Sequence, residues 1–242
     1  MLQEISTQQI WFRYFCKIEN GYWIYSDGSH KGSDNSLLRV DDEFNVIDGA
    51  FSQKIFPPTT IHSTFVQSEN QVFFISPYSN VFCQIKNDSV IPYISINFDN
   101  HTLPYQEISR MTDEMEYNKL IEKGDYVGYL GDFVLCGGIF YFTFSEMSGD
   151  NAQYIACYNL DKEKTHVYNS YTEYYKPNFP FKHLSLAQPK TSFRGEFVYL
   201  VDAFDFQDED LQELEKYCNW VIGEEMNPVL FFMKKGVVGL HE

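Results

Sequence analysis

Gly21-Tyr22-Trp23-Ile24-Tyr25-Ser26 recurs in altered form three more times along this chain. The other copies are Gln71-Val72-Phe73-Phe74-Ile75-Ser76, Gly138-Ile139-Phe140-Tyr141-Phe142-Thr143 and Glu196-Phe197-Val198-Tyr199-Leu200-Val201. Successive copies begin roughly 50, 67 and 58 residues apart, a spacing typical of tandem-repeat architectures. Because aromatic and β-branched residues dominate every copy, each is predicted to form a buried or half-buried β-strand.

Each copy is predicted to be the second strand of a four-stranded unit. Turn residues such as Asn20-Gly21 separate the aromatic runs, as they do in hairpins. The predicted units cover approximately residues 10–54, 60–104, 125–170 and 182–240. In the last unit, the first strand is predicted at 183–188, and the fourth is either 237–240 or a strand contributed from elsewhere. Four-stranded units in tandem predict an all-β fold, a β-propeller with one sheet per blade, in preference to a β-sandwich.

Two segments interrupt the strand pattern. Residues 106–123 carry apolar side chains at helical spacing, and residues 208–218 do the same after an acidic first turn. Both are predicted to be short helices that cover sheet edges or loops between blades. Because the connections are short, residues 1–242 are predicted to form a single domain.

The composition restricts the class of partner. The chain has 242 residues, 18% of them aromatic, and a formal net charge of −16. A surface this acidic repels phosphate backbones and anionic membranes. Nucleic acid is therefore not an expected partner. The opening residues lack the features of a signal peptide, and no apolar run reaches the ~20 residues of a membrane helix. The five cysteines contain no CxxC pair, and the four that lie among apolar or aromatic neighbours are interpreted as buried strand residues.

Catalytic and cofactor motifs are absent from the sequence. The histidines form neither HExxH nor HxH, and the chain lacks GxSxG, GxGxxG and P-loop patterns, so no metal site or cofactor is predicted. Channel-facing or rim positions are the remaining candidates for ligand contact, although a structural role is an open alternative for each. The candidate ligand-binding residues are His62, Tyr78, His183, Asp202, Phe204 and Asp205.

Several landmarks occur in a characteristic order: Val81 to Pro92 with the following Ile96-Asn97-Phe98-Asp99, the helical segment after it, and Asn227-Pro228-Val229-Leu230-Phe231-Phe232. Together they resemble a bacterial six-bladed β-propeller family, known mostly as exported or lipid-anchored proteins of unassigned function. The resemblance implies six blades and an export signal, whereas the sequence gives four units and no signal. Two interpretations follow: the chain is the C-terminal four-blade portion of a longer protein, or four blades close a ring of their own.

The expected function is non-enzymatic binding of a small molecule, glycan or protein by an acidic, aromatic propeller face. The resemblance implies a periplasmic or outer-membrane-associated setting, in which the ligand would be a glycan or peptide. One alternative is a hydrolase or lyase acting on carbohydrate, with His62 or His183 and rim carboxylates as acid and base. Another is a structural scaffold that self-associates through exposed blade faces.

Overall fold

The computed structural model describes residues 14–26, 35–52, 65–68, 70–75, 79–108, 110–111, 113–147, 152–168, 189–201, 206, 208–218 and 229–234. Within these residues the strands form four antiparallel sheets. The chain divides into two compact units. The first contains Met1–Phe65, Gln71–Gly131 and Ser145–Asn151, and the second contains Val66–Asn70, Asp132–Phe144 and Ala152–Glu242. The single-domain organisation stays a prediction.

Sheet 1 follows the chain order of its strands. Its strands are β1 (Tyr14–Ile18), β2 (Gly21–Tyr25), β3 (Asn35–Val40) and β4 (Val46–Ser52). The β1–β2 turn requires glycine, because Gly21 has φ +110° and a Cβ there would lie 1.9 Å from the Val40 carbonyl oxygen. In the β3–β4 turn, the Asp41 carboxylate accepts hydrogen bonds from Glu43 and Asn45. These bonds, those from Asn45 foremost, lower the Asp41 pKa.

Sheet 2 repeats this order. Its strands are β5 (Phe65–Ser68), β6 (Gln71–Ile75), β7 (Val81–Lys86) and β8 (Ser89–Ser95). The outermost strand, β8, carries Pro92 opposite Cys83, next to a shift in register between Phe82 and Cys83. Proline donates no hydrogen bond to a ladder, so it is tolerated at such an edge.

Sheets 1 and 2 pack face to face in the first unit. Trp23, Tyr25 and Leu37 of sheet 1 share one buried cluster with Phe74 and Ile85 of sheet 2. The Trp23 indole N–H donates to the Asn87 carbonyl at 3.1 Å, so the buried ring keeps a polar partner. Arg39 and Asp88 add an ion pair at 2.6 Å between the same two sheets.

The predicted helix at 106–123 is two helices, α1 (Tyr105–Ile108) and α2 (Glu114–Lys123). The break has a physical cause, because Asp113 is extended and its side chain accepts the Met115 N–H at 2.8 Å, which caps a new helix. A third helix, α3 (Asp208–Cys218), lies where the sequence predicts it. No helix in the described part of the chain has both the length and the apolar character needed to cross a membrane.

Sheet 3 has the order β12-β11-β10-β9. Its strands are β9 (Val127–Cys136), β10 (Ile139–Glu146), β11 (Gln153–Asn159) and β12 (Lys164–Tyr168). Gly137 and Gly138 both have positive φ in the β9–β10 turn, as the favoured two-residue hairpin requires. Cys136 and Cys157 are both buried within strands and form no disulfide with each other, which agrees with their interpretation as strand residues.

Sheet 4 contains β13 (Thr191–Phe193), β14 (Glu196–Val201) and β15 (Val229–Lys234), in that order. The sequence predicts the strand before β14 at 183–188, which lies outside the described residues. Among the described residues, the strands that pair with β14 are Thr191–Phe193 and Val229–Lys234. A tight turn at Arg194-Gly195, both with positive φ, makes this short hairpin possible. The alternative fourth strand at 237–240 also lies outside the described residues.

Sheet 4 has one buried face and one exposed apolar face. Phe197 and Tyr199 are fully buried, and the Phe197 ring meets Tyr141 of sheet 3 with centroids 6.3 Å apart. On the other face, Leu200 pairs with Leu230, and Phe232 lies two residues further along β15. These three side chains are about half exposed.

Hydroxyl groups connect the first strands of sheets 2, 3 and 4 in the second unit. The Ser68 hydroxyl donates to the Leu135 carbonyl and accepts the Leu135 N–H at 3.1 Å. It also lies 2.8 Å from the Ser192 hydroxyl, which is left as the donor. Thr191 donates to the Gln67 carbonyl at 2.5 Å. We call Ser68, Thr191 and Ser192 the hydroxyl cluster.

The repeating sheets confirm the predicted fold class, an all-β propeller with inserted helices. The four repeated segments form β2, β6, β10 and β14, the second strands of their sheets, and each contributes fully buried aromatic side chains to the core. Within the described residues, three sheets have four strands and sheet 4 has three.

Candidate functional site

The six candidate residues from the sequence, His62, Tyr78, His183, Asp202, Phe204 and Asp205, all lie outside the described residues. Their roles stay predictions. Their neighbour Phe206 is described, and it is buried against Phe231, with ring centroids 6.1 Å apart. Phe206 therefore contributes to packing.

A groove of about 1150 Å³ lies along α1 and α2 in the first unit. Its floor is half-buried and mostly apolar. The floor residues are Asn80, Pro104, Tyr105, Met111 and Leu120. Its rim is exposed and polar. The rim residues are Gln106, Glu107, Arg110, Glu116, Lys119 and Lys123.

The floor is held in place by the core beneath it. Tyr105, Met111 and Leu120 pack against a buried cluster that contains Leu103, Ile108, Tyr117 and Met147. Gly128 on β9 lets this cluster approach the sheet, because a Cβ there would lie 2.6 Å from the Met147 sulfur. Burial raises the pKa of Tyr105, so its hydroxyl stays neutral and the floor carries no charge from this ring.

Two local structures position the rim. The Pro104 carbonyl accepts hydrogen bonds from the Glu107 and Ile108 N–H groups, which starts α1. The Asp113 cap starts α2, and Glu116, Lys119 and Lys123 then follow at spacings of three and four residues. Residues at these spacings share one helix face. The rim of the groove is thus an ordered row of charges.

Asn80 links the groove to sheet 2. Its side-chain Nδ2 donates to the Ile96 carbonyl at 2.8 Å, and its own carbonyl accepts the Ile96 N–H at 2.8 Å. Asn80 is therefore held by two hydrogen bonds to Ile96, one from its side-chain amide and one to its backbone carbonyl. A fixed amide beside an apolar floor is the kind of group that orients a bound ligand.

The groove is not predicted from the sequence, in which the pattern at 106–123 indicates only a helix that covers a sheet edge or a loop between blades. One signal was available: Arg110, Lys119 and Lys123 lie within 14 residues of a chain that has only 18 Lys and Arg in total.

A metal site has no support in the described part of the chain, where no three His, Cys, Asp or Glu side chains come together as possible ligands. The groove presents cations, carboxylates, an amide and apolar surface, which are groups that could contact a ligand.

Comparison with known proteins places the fold. Residues 2–199 match the sequence model of a family described as "6-bladed beta-propeller". A crystal structure of a "Putative exported protein" from Bacteroides fragilis is similar, with a TM-score of 0.66 and 19% sequence identity over 93% of this chain. The chain spans 66% of the length of that protein. No curated protein matches. Because the family match covers most of the sequence, the chain belongs to this six-bladed β-propeller family.

Proposed function

We propose that this chain is a non-enzymatic binding propeller whose ligand docks in the groove along α1 and α2. The observation that carries the proposal is the groove itself, in which a half-buried apolar floor is bordered by ordered charges. Ligand sites are typically concave and mostly apolar, with a few fixed polar groups that give orientation. The volume of about 1150 Å³ suits an extended ligand such as a short peptide or an oligosaccharide.

The setting we propose is the periplasm or the outer membrane. It is supported by the similar fold of the Bacteroides fragilis protein, whose name describes it as exported. In that compartment, glycans and peptides of the cell envelope are the available ligands of this size.

A steric block of the groove tests the proposal. Gln106 is an exposed rim residue on α1, so Gln106→Trp adds bulk without changing charge. Arrays of short peptides and oligosaccharides would be probed with the parent protein and with this variant. We expect at least one ligand class to bind the parent and to lose at least tenfold in affinity with Gln106→Trp. Circular dichroism and the thermal midpoint would verify that the variant is folded.

The bound ligand would then be incubated with the protein and examined by mass spectrometry. Recovery of intact ligand supports binding without turnover, whereas cleavage supports the hydrolase or lyase alternative. Binding that is unchanged by Gln106→Trp, or no binding by any array member, would contradict the groove as the site.

A further inference from the structure

The groove rim differs in charge from the rest of the molecule. The chain has 34 acidic and 18 basic residues, yet three cations and two carboxylates border the groove. Two of the cations, Lys119 and Lys123, are one turn apart on α2, where like charges repel. Repulsion between them is relieved when an anion binds.

The rim cations form no ion pair with any residue that the structure describes. Ion pairs between described residues join Lys17 to Asp42 and Arg39 to Asp88, and neither involves the groove. Arg110, Lys119 and Lys123 are all exposed. Their charges are therefore available to a ligand at a small desolvation cost.

The floor of the groove adds a second requirement for the ligand, an apolar group. Met111, Leu120 and Pro104 offer an unbranched thioether, an aliphatic side chain and a ring, all half-buried. Such a surface accepts an apolar side chain, and methionine adapts to different shapes. A carboxylated sugar chain is covered with hydroxyl groups, so it would make less apolar contact with this floor than an apolar peptide side chain does.

We propose that the groove binds an acidic peptide segment that carries an apolar side chain. The carboxylates of the peptide pair with Arg110, Lys119 and Lys123, and its apolar side chain rests on Met111 and Leu120. Glu107 and Glu116 accept hydrogen bonds from the peptide backbone. This inference rests on the proposed function, since it names the ligand class of the same groove.

Because of the net charge of the protein, an acidic peptide is expected to bind at the groove rim and not elsewhere on the surface. A charge of −16 repels an acidic peptide everywhere except where cations gather. Added salt screens both the general repulsion and the local attraction. Reversal of individual charges is therefore a sharper test than ionic strength.

Fluorescence anisotropy with labelled synthetic peptides provides the test. The probe is a seven-residue peptide with a central leucine flanked by three glutamates on each side. One matched peptide replaces the glutamates with glutamines, and another replaces the leucine with serine. The protein variants are Lys119→Glu/Lys123→Glu and the control Lys162→Glu/Lys164→Glu, which reverses two exposed charges outside the groove.

We expect the groove variant to weaken binding of the acidic peptide at least ~10-fold, because two exposed attractions become two repulsions. The control variant should bind within ~2-fold of the parent. Both matched peptides should bind more weakly than the probe. Equal binding of the glutamate and glutamine peptides, or equal loss in the two variants, would overturn the inference.

The outcomes separate this inference from the proposed function. A neutral ligand that Gln106→Trp blocks, together with no measurable binding of the acidic peptide, leaves the groove as the site but removes the acidic ligand. Preference for an oligogalacturonate over the acidic peptide would likewise replace the peptide with a carboxylated glycan. Binding of every ligand unchanged by Gln106→Trp contradicts both.

Discussion

In the hydroxyl cluster, Ser68 exchanges hydrogen bonds with Leu135 and Ser192, whereas in the groove Arg110, Lys119 and Lys123 pair with no described residue. In the first region Ser68 is buried, Thr191 and Ser192 are half-buried, and the polar groups satisfy one another, so the cluster contributes to stability. The second is open and its charges remain available, at a small cost because water solvates them. The comparison separates polar groups that hold the fold from polar groups that can recognise a ligand.

The largest expected effect is on the alkylation rates of the thiols in sheets 1 and 2, which test how well the interiors of these sheets exclude solvent. Burial raises the pKa of Cys16 to about 12 and that of Cys83 to about 11, from 9.0. The reactive species is the thiolate, so at pH 8 Cys16 should react with iodoacetamide ~1000-fold more slowly, and Cys83 ~100-fold more slowly, than in the unfolded chain. Peptide-resolved mass spectrometry, with urea-unfolded protein as the reference, measures both rates.

The same raised pKa values set the sign of a pH dependence. The unfolded chain loses these protons near pH 9, whereas the folded chain keeps them up to pH 11–12. The free energy of unfolding should therefore fall as pH rises from 9 to 12.

The labelling experiment has an outcome that would contradict burial of the thiol. If Cys16 in the folded protein reacted as fast as in urea, the interior of sheet 1 would open readily to solvent.

Ser68→Ala addresses the hydroxyl cluster directly. The substitution removes the partner of the Leu135 carbonyl and N–H and of the Ser192 hydroxyl. Leaving buried polar groups unpaired costs about 1–3 kcal/mol in the free energy of unfolding. Urea denaturation measures the loss, and Ser89→Ala, at an exposed position of β8, is the matched control with an effect under ~0.5 kcal/mol.

Ser68→Ala should leave peptide affinity unchanged, because Ser68 does not line the groove. If affinity and stability fell together in this variant, the proposed separation between the two regions would be wrong.

Asp113→Ala sharpens the comparison, because Asp113 both stabilises the fold and positions the helix that carries rim residues of the groove. Its side chain caps α2, and α2 carries Glu116, Lys119 and Lys123. Loss of a helix cap costs about 1 kcal/mol. We expect a loss of stability of this size and ~3-fold weaker binding of the acidic peptide. The control is Glu122→Ala, an exposed substitution in the same helix, and an equal effect there would exclude the cap as the cause.

The sequence was sufficient to predict the sheets because their signal is local. The segments around Trp23, Phe73, Tyr141 and Phe197 are second strands, as the repeat predicts, and hairpin turns such as Gly137-Gly138 limit them. The sequence pattern does not predict the hairpin at Arg194-Gly195, because its three-residue strand is too short to show a pattern. Local patterns also missed the break at Asp113, where one cap outweighs the helical periodicity.

The groove depends on tertiary structure, and for that reason little in the sequence indicates it. Asn80 comes from the loop before β7, whereas Lys119 belongs to α2, and only folding makes them line one groove. On the helix alone, Lys119 and Lys123 are indistinguishable from ordinary solvated charges. The candidate residues His62 and His183 lie outside the described residues and stay predictions.

Pro92 has a consequence for how the molecule behaves in a crowded solution. It lies on the outer edge of sheet 2, beside a shift in register. A regular edge strand offers a row of backbone donors and acceptors on which another chain can add and begin a fibril. A proline supplies no donor and a bulge twists the edge, so β8 is a poor template for such growth. Pro92 therefore disfavours the addition of another chain at the β8 edge of sheet 2.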